Sequence, residues 1–183
     1  MTISSSPQMN FDNKNAYCGW CGTRFLEQTL YPRKCFRCNN DTYLNPIPIT
    51  VAMIPVWHLN DEGNGQVASL LLQQRNIEPK KGQWSLPGGY LNMGETWQEG
   101  CAREVKEEIG IDTDPQWYKL FKVELATNNN LLIFGLCKQL ISWDDIHFIP
   151  NEESSAIKIV NAPEELAFPT HTAALNDWLY NDE

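Results

Sequence analysis

The chain has 183 residues, 42% of them apolar, with seven Trp and seven Phe, enough for one ordinary domain plus a small accessory module. Its formal charge of −9 argues against broad, sequence-independent nucleic-acid binding, which neutralises phosphates with cations. No stretch approaches the roughly 20 apolar residues of a membrane helix, and the start lacks the basic-then-apolar pattern of a secretory signal.

Residues 1–15 are polar and read as a disordered leader, and the whole as a cytoplasmic protein. Two cysteine pairs follow, Cys18-Gly19-Trp20-Cys21 and Cys35-Phe36-Arg37-Cys38, thirteen residues apart. Two such knuckles bring four thiolates into a tetrahedron that suits structural Zn²⁺. Two disulfides, or a redox pair used twice, are the other readings; disulfides fit poorly without a secretory signal. Four protein ligands leave no open position, so the metal is expected to be structural, and the ribbon to unfold without it. Asn39-Asn40-Asp41 and the prolines Pro46 and Pro48 break regular structure, which divides a ribbon at 16–45 from a second domain at 46–183.

In the second domain, residues 47–57 read as a strand rich in β-branched side chains, with Pro55 marking an edge or bulge. A turn is expected at 60–65, then strands at 67–74, 117–125, 131–140 and 155–160, with a turn at 128–130. Residues 163–165 and 172–180 look helical. Strands outnumber helices in mixed order, so the class is α+β with a mixed sheet.

The informative stretch is GGYLNMGETWQEGCAREVKEEIGI, starting at Gly88. Thr96-Trp97-Gln98-Glu99 is a capping box that starts a helix, and Gly110 stops it. Cys101, Ala102, Val105 and Ile109 make its apolar stripe. Glu104, Glu107 and Glu108, spaced i, i+3, i+4, share an adjacent face, where like charges cost a few tenths of a kcal/mol per pair. That concentration makes sense against hard divalent cations; alone, it would be a solvated acidic face.

The flanking residues decide between the two. Gly89, Glu95, Arg103, Glu104, Val105, Glu107, Glu108, Gly110 and Ile111 fill every specified position of G-x5-E-x7-R-E-U-x-E-E-x-G-U, nine positions in 23 residues. The chain therefore resembles the Nudix hydrolases, and Gly82-Gln83-Trp84-Ser85-Leu86-Pro87-Gly88-Gly89 is similar to that family's lead-in. The resemblance covers residues 47–180 and implies an α/β/α sandwich with a mixed sheet. It implies Mg²⁺ or Mn²⁺ held by Glu104 and Glu108, with Glu107 assisting and a backbone carbonyl at Gly88 completing the shell. Arg103 is expected to orient the carboxylates through an ion pair with Glu95. For the general base the resemblance points to the box or to a later loop, where Glu153 stands beside Glu152; a plain exposed loop is the competing reading.

The ribbon ahead of the box resembles two branches of the family. The NADH-pyrophosphatase branch carries S-Q-P-W-P-F-P-x-S after its box; this chain has DTDPQWYKLFKVELATNNN there, and is closer to the FAD and ADP-ribose pyrophosphatases. Hydrolysis of ADP-ribose or FAD to release AMP is expected, with NADH, NAD-cap or nucleoside-triphosphate hydrolysis as alternatives. Arg75, Trp84 and Tyr90 are candidate substrate-binding residues, and Trp117 a further aromatic; each aromatic either stacks on substrate or packs. Outside enzymes, a nucleotide-sensing regulator or a zinc-ribbon adaptor would fit, but neither needs every carboxylate of the box. The expected partner is a small nucleotide, not a membrane or nucleic acid, and a homodimer is expected by resemblance. Cys101 and Cys137 read as small buried residues, and His58, His147 and His171 as isolated.

Overall fold

The structure, a computed structural model, describes residues 16–26, 31–59, 63, 65–126 and 129–180. The expected leader at 1–15 and most of the turn at 60–65 lie outside these, as does part of the turn at 128–130. The chain divides into two compact units, Met1–Pro46 and Ile47–Glu183. Among the described residues no helix is long and apolar enough to cross a membrane.

In the first unit, Tyr17 and Arg24 bridge across the first cysteine pair, and β1 (Arg33–Lys34) pairs antiparallel with β2 (Asp41–Thr42) across the second. Both turns are built alike. The N–H four residues after the leading cysteine returns to that cysteine's carbonyl, Gly22 to Cys18 and Asn39 to Cys35, each at 2.9 Å. Gly22 (φ 67°) and Asn39 (φ 60°) are left-handed, a conformation these two residue types adopt at least cost.

The second unit runs β3 (Ile47–Met53), β4 (Pro55–Leu59), β5 (Gln66–Arg75), β6 (Trp84–Ser85), β7 (Gly88–Tyr90), α1 (Trp97–Ile109), β8 (Tyr118–Leu125), β9 (Asn130–Cys137), β10 (Ile141–Ser142), β11 (Ser154–Val160) and α2 (Pro169–Tyr180). One sheet has the order β7-β3-β9-β8; the other is β10-β4-β5-β11, with β6 also on β5. The β3–β9 and β4–β10 pairs are parallel and the rest antiparallel, so both sheets are mixed.

The expected strand at 47–57 is two strands in two sheets. Pro55 has no N–H with which to continue a ladder, so the chain leaves β3 at Ile54 and joins β5 instead. Alternation along β3 sends Val51 and Met53 to a core with Leu70, Leu72, Phe134, Ala174 and Leu175, while Ala52 enters a core with Cys101, Val105 and Ile109. Burial on both faces, one under each helix, makes an α/β/α sandwich. Residues 163–165 are not helical as expected. Leu166 and Ala167 are drawn into the core, and the Ala167 N–H is given to Trp84 O at 2.7 Å, leaving Glu164 as an acceptor for Lys158 Nζ. α2 starts three residues earlier than expected, with Pro169 as its first residue, where a missing N–H costs nothing.

Candidate active site

Local sequence fixes α1 at both ends. Thr96 Oγ1 accepts from the Glu99 N–H at 3.3 Å, and Glu99 Oε2 from the Thr96 N–H at 2.8 Å. At the other end Gly110, at φ 87°, donates its N–H to the carbonyls of Lys106 and Val105. Cys101, Ala102, Val105 and Ile109 anchor the inner face in the core. Next to that stripe stand Glu104 and Glu108, one turn apart and only 6% and 3% exposed; Glu107 is on the rim.

Each buried carboxylate has polar support. Arg103 Nε and Nη2 donate to the two oxygens of Glu95 at 2.8 and 3.1 Å. Its Nη1 reaches Glu104 Oε1 at 2.6 Å and Glu107 Oε2 at 2.9 Å, while Nη2 also donates to Tyr90 O. Glu108 Oε2 accepts from the Gly88 N–H at 2.7 Å and its carboxylate from the Gln73 side chain. Gln73 is oriented in turn by Ser154 Oγ, which donates to Gln73 Oε1. Burial pushes Glu108 up to about 8 against the donors Gln73 and Gly88, and burial raises Glu104 too, against the pull of Arg103. Glu95 is held below the usual carboxylate range by its hydrogen bonds from Arg103. Ionised, the buried pair is disfavoured by desolvation and mutual repulsion, the condition a divalent cation relieves.

Oxygens of Glu104, Glu108 and Glu153 all lie within 4.8 Å of one another. Glu153 thus joins the two buried glutamates from a separate loop, and Glu107 stands outside that group. At Gly88 the contact to the carboxylates is made by the N–H. The adjacent glycines serve different ends. A Cβ on Gly88 would sit 2.2 Å from Thr50 O, against the β3 backbone, whereas one on Gly89 would sit 2.5 Å from Glu104 Oε1. Gly89→Ala is therefore expected to leave thermal stability within a few degrees while shifting the Glu104 carboxylate. A displacement on the order of 1 Å costs about a hundredfold in turnover. Steady-state kinetics beside a melting curve check this; wild-type turnover refutes the assigned need for Gly89.

The carboxylates open onto a cleft of about 570 Å³. Arg75 and Tyr90 line it, as does Phe168, whose ring lies 5.3 Å below the Arg75 guanidinium. Trp84 does not line the cleft: it packs on the α2-side core, with Lys158 Nζ over its ring at 4.5 Å. Trp117 packs against the α1-side core. Gln73, Phe168 and the loop residue Asn151 escaped the sequence reading. Gln73 did carry a signal, a polar residue closing the run Leu70-Leu71-Leu72 on the α1-facing side of β5.

Beneath the cleft lies His171, its Nδ1 accepting the Leu86 N–H at 3.2 Å, between Phe134 and Phe168. Burial and the nearby Arg75 charge lower it to about 3, so it is neutral when folded. The unfolded chain binds the proton at about 6.5. Stability from neutral His171 is thus complete above that pH and drains as the pH falls toward 3. Wild-type unfolding free energy is expected to lose up to about 1.4 kcal/mol per pH unit through this group, and His171→Gln to remove that share of the slope. Urea unfolding at pH 7 and pH 4.5 measures it; equal slopes for both proteins refute it.

A second cluster sits in the first unit. Cys18 Sγ and Cys38 Sγ are 3.6 Å apart, and Cys21 Sγ and Cys35 Sγ 3.7 Å. Thiolates about 2.3 Å from a tetrahedral metal stand about 3.8 Å apart, so the arrangement fits a metal ion. Burial raises the Cys18 thiol, but amide donors at Cys21 and Trp20, with Thr42 and Cys38, bring it down to about 6. Cys101 and Cys137 are buried in the α1-side core, and none of the six cysteines is in a disulfide.

The second unit is thus an α/β/α sandwich that presents two buried glutamates from one capped helix. Residues 51–174 match the NUDIX domain family, and the chain belongs to it. Over 42 residues it is 48% identical to an ADP-ribose pyrophosphatase of Methanocaldococcus jannaschii, covering 23% of this chain and 25% of that one. Over 110 residues it is 31% identical to the NAD-capped RNA hydrolase NudC of Stutzerimonas stutzeri, covering 58% and 35%. The chain thus spans between a quarter and about a third of the length of these curated relatives. A NUDIX hydrolase from Nitrosomonas europaea shares the fold, with a TM-score of 0.64 at 24% identity over 89% of each chain.

Proposed function

We propose that this protein hydrolyses the diphosphate bond of a nucleoside diphosphate linked to a second moiety, with ADP-ribose or FAD as substrate and AMP as one product. The observation that carries the reading is the cluster of Glu104, Glu108 and Glu153, two of them buried, at the floor of a nucleotide-sized cleft. Those carboxylates fit Mg²⁺ or Mn²⁺, hard cations that take oxygen ligands. Glu104 and Glu108 would hold the cation, with Glu107 assisting from the rim. When bound, the cation neutralises the diphosphate and lowers the pKa of a water. Arg103 fixes the orientation of Glu104 and Glu107, and Glu153 accepts the proton of the attacking water. Arg75 and Tyr90, on the cleft wall, bind the remainder of the substrate.

The similarity to a protein named ADP-ribose pyrophosphatase supports the substrate class. The similarity to NAD-capped RNA hydrolases favours a second reading, an NAD-type cap. In the ribbon we assign Zn²⁺ to Cys18, Cys21, Cys35 and Cys38, and cysteines outside disulfides suit a reducing, cytoplasmic setting. A homodimer is proposed on the family resemblance. Product analysis on ADP-ribose, FAD, NADH, NAD-capped RNA and dNTPs with Mg²⁺ or Mn²⁺ tests the reading, with Glu104→Gln as control. AMP from ADP-ribose or FAD supports it; preference for the capped RNA transfers the assignment to the second reading; no cleavage of any substrate rejects hydrolysis.

A further inference from the structure

We infer that Asn151 is a positioning residue that holds Glu153 over the Glu104–Glu108 pair by fastening its loop to the end of α1. The inference rests on the proposed role of Glu153 as proton acceptor.

Glu153 is the one member of the carboxylate group that regular structure does not place. Its segment, Pro150-Asn151-Glu152-Glu153, is a loop that precedes β11, and a loop glutamate has no reason of its own to point at a helix. Asn151 supplies that reason with both ends of one amide. Its Nδ2 donates to the carbonyls of Glu108 at 3.1 Å and Glu107 at 3.3 Å, on the last turn of α1. These lie among the last four carbonyls, which have no partner within the helix. Its Oδ1 accepts from the backbone N–H groups of Glu153 at 2.9 Å and Ser154 at 2.8 Å, closing a tight Asx turn. Asn76 secures the far side: its N–H donates to Glu153 O at 2.7 Å, and its Nδ2 to Asn151 O at 2.9 Å.

The helix that presents Glu104 and Glu108 and the loop that presents Glu153 therefore share one joint, the Asn151 amide. Among the described residues no other side chain both donates to an α1 carbonyl and accepts from this loop. Asparagine alone fits both halves. Asp can close the turn but has no N–H for the helix, and it sets a negative charge against the negative end of the helix dipole. Ala can do neither.

The test combines kinetics with amide hydrogen exchange on Asn151→Ala, Asn151→Asp and Glu153→Gln. Asn151→Ala is expected to speed exchange at the Glu153 and Ser154 amides at least about tenfold, as both lose their acceptor. Asn151→Asp should keep those amides protected. Both should lower kcat by about a hundredfold with KM and Mn²⁺ affinity within about threefold of wild type. Combining Asn151→Ala with Glu153→Gln should cost no more than Glu153→Gln alone, because the two act as a unit. Full kcat in Asn151→Ala, full kcat in Asn151→Asp, or multiplying losses in the double variant overturns the inference. So does unchanged exchange at Glu153 and Ser154. Failure of the underlying reading is seen separately, as wild-type kcat in Glu153→Gln or absence of turnover in the wild type.

Discussion

Glu104→Gln and Glu108→Gln are each expected to reduce turnover by about a thousandfold or more without loosening the fold. The magnitude follows from the charge stabilisation that a bound divalent cation gives a diphosphate, several kcal/mol, of which about 4 kcal/mol equals a thousandfold in rate. The fold should tolerate both changes because glutamine matches glutamate in shape and carries no charge to desolvate. At position 108 the exchange removes a carboxylate that burial already pushes up to about 8, while an amide oxygen still accepts the Gly88 N–H. At position 104 Arg103 keeps its paired contact with Glu95 and its bond to Glu107. Two readouts separate ligation from a merely structural role. Mn²⁺ at a hundred times its dissociation constant should stabilise the wild type by about 2.7 kcal/mol, and this gain should vanish in both variants. A variant that keeps the full metal-induced gain, or wild-type turnover, removes its residue from the proposed site.

Such carboxylates were legible in the sequence because everything that places them is local. The capping box Thr96 to Glu99, the left-handed stop at Gly110 and the stripe Cys101, Ala102, Val105, Ile109 all fall within one short helix, and the structure has each where the spacing puts it. Legibility fails where placement depends on distant pairing. Gln73 reaches Glu108 because β5 crosses beneath α1, and its orienting partner Ser154 is 81 residues away. Asn151 meets the end of α1 across 43 residues. Phe168 enters the cleft because the chain before α2 packs as a loop where local composition suggested a helix. Trp84 shows the converse: an aromatic in a family-like lead-in whose ring is turned to the core and covered by Lys158. Pro55 was visible as a break, but which sheet each half of the strand would join is set by β5 and β9, not by the proline.

Removal of metal from the four-cysteine unit is expected to unfold that unit and leave the second one folded. Among its described residues only Cys18, Cys35 and Arg33 are buried, while Trp20 is 71% and Phe36 66% exposed. Two thiols and a cation are no hydrophobic core, so little burial is available to offset the entropy of ordering the chain. A structural Zn²⁺ site of this kind supplies about 10–16 kcal/mol of apparent binding free energy, and that is the folding energy. Sulfurs 3.6 and 3.7 Å apart would repel as thiolates once the cation left. The second unit carries both of its core clusters within itself, every member lying beyond residue 47. The clearest report is the Trp20 indole, whose Nε1 donates to Asp41 O at 2.9 Å across the ribbon. Chelation under reducing conditions, or Cys35→Ser, should collapse the Trp20 indole resonance to its random-coil position. The unfolding midpoint of the second unit should stay within a few degrees, and turnover within about threefold. A Trp20 resonance that survives stoichiometric metal removal would mean that packing, not metal, holds the ribbon. Loss of turnover together with the resonance would mean instead that the ribbon's order is required by the carboxylate site, a coupling that neither core cluster provides for.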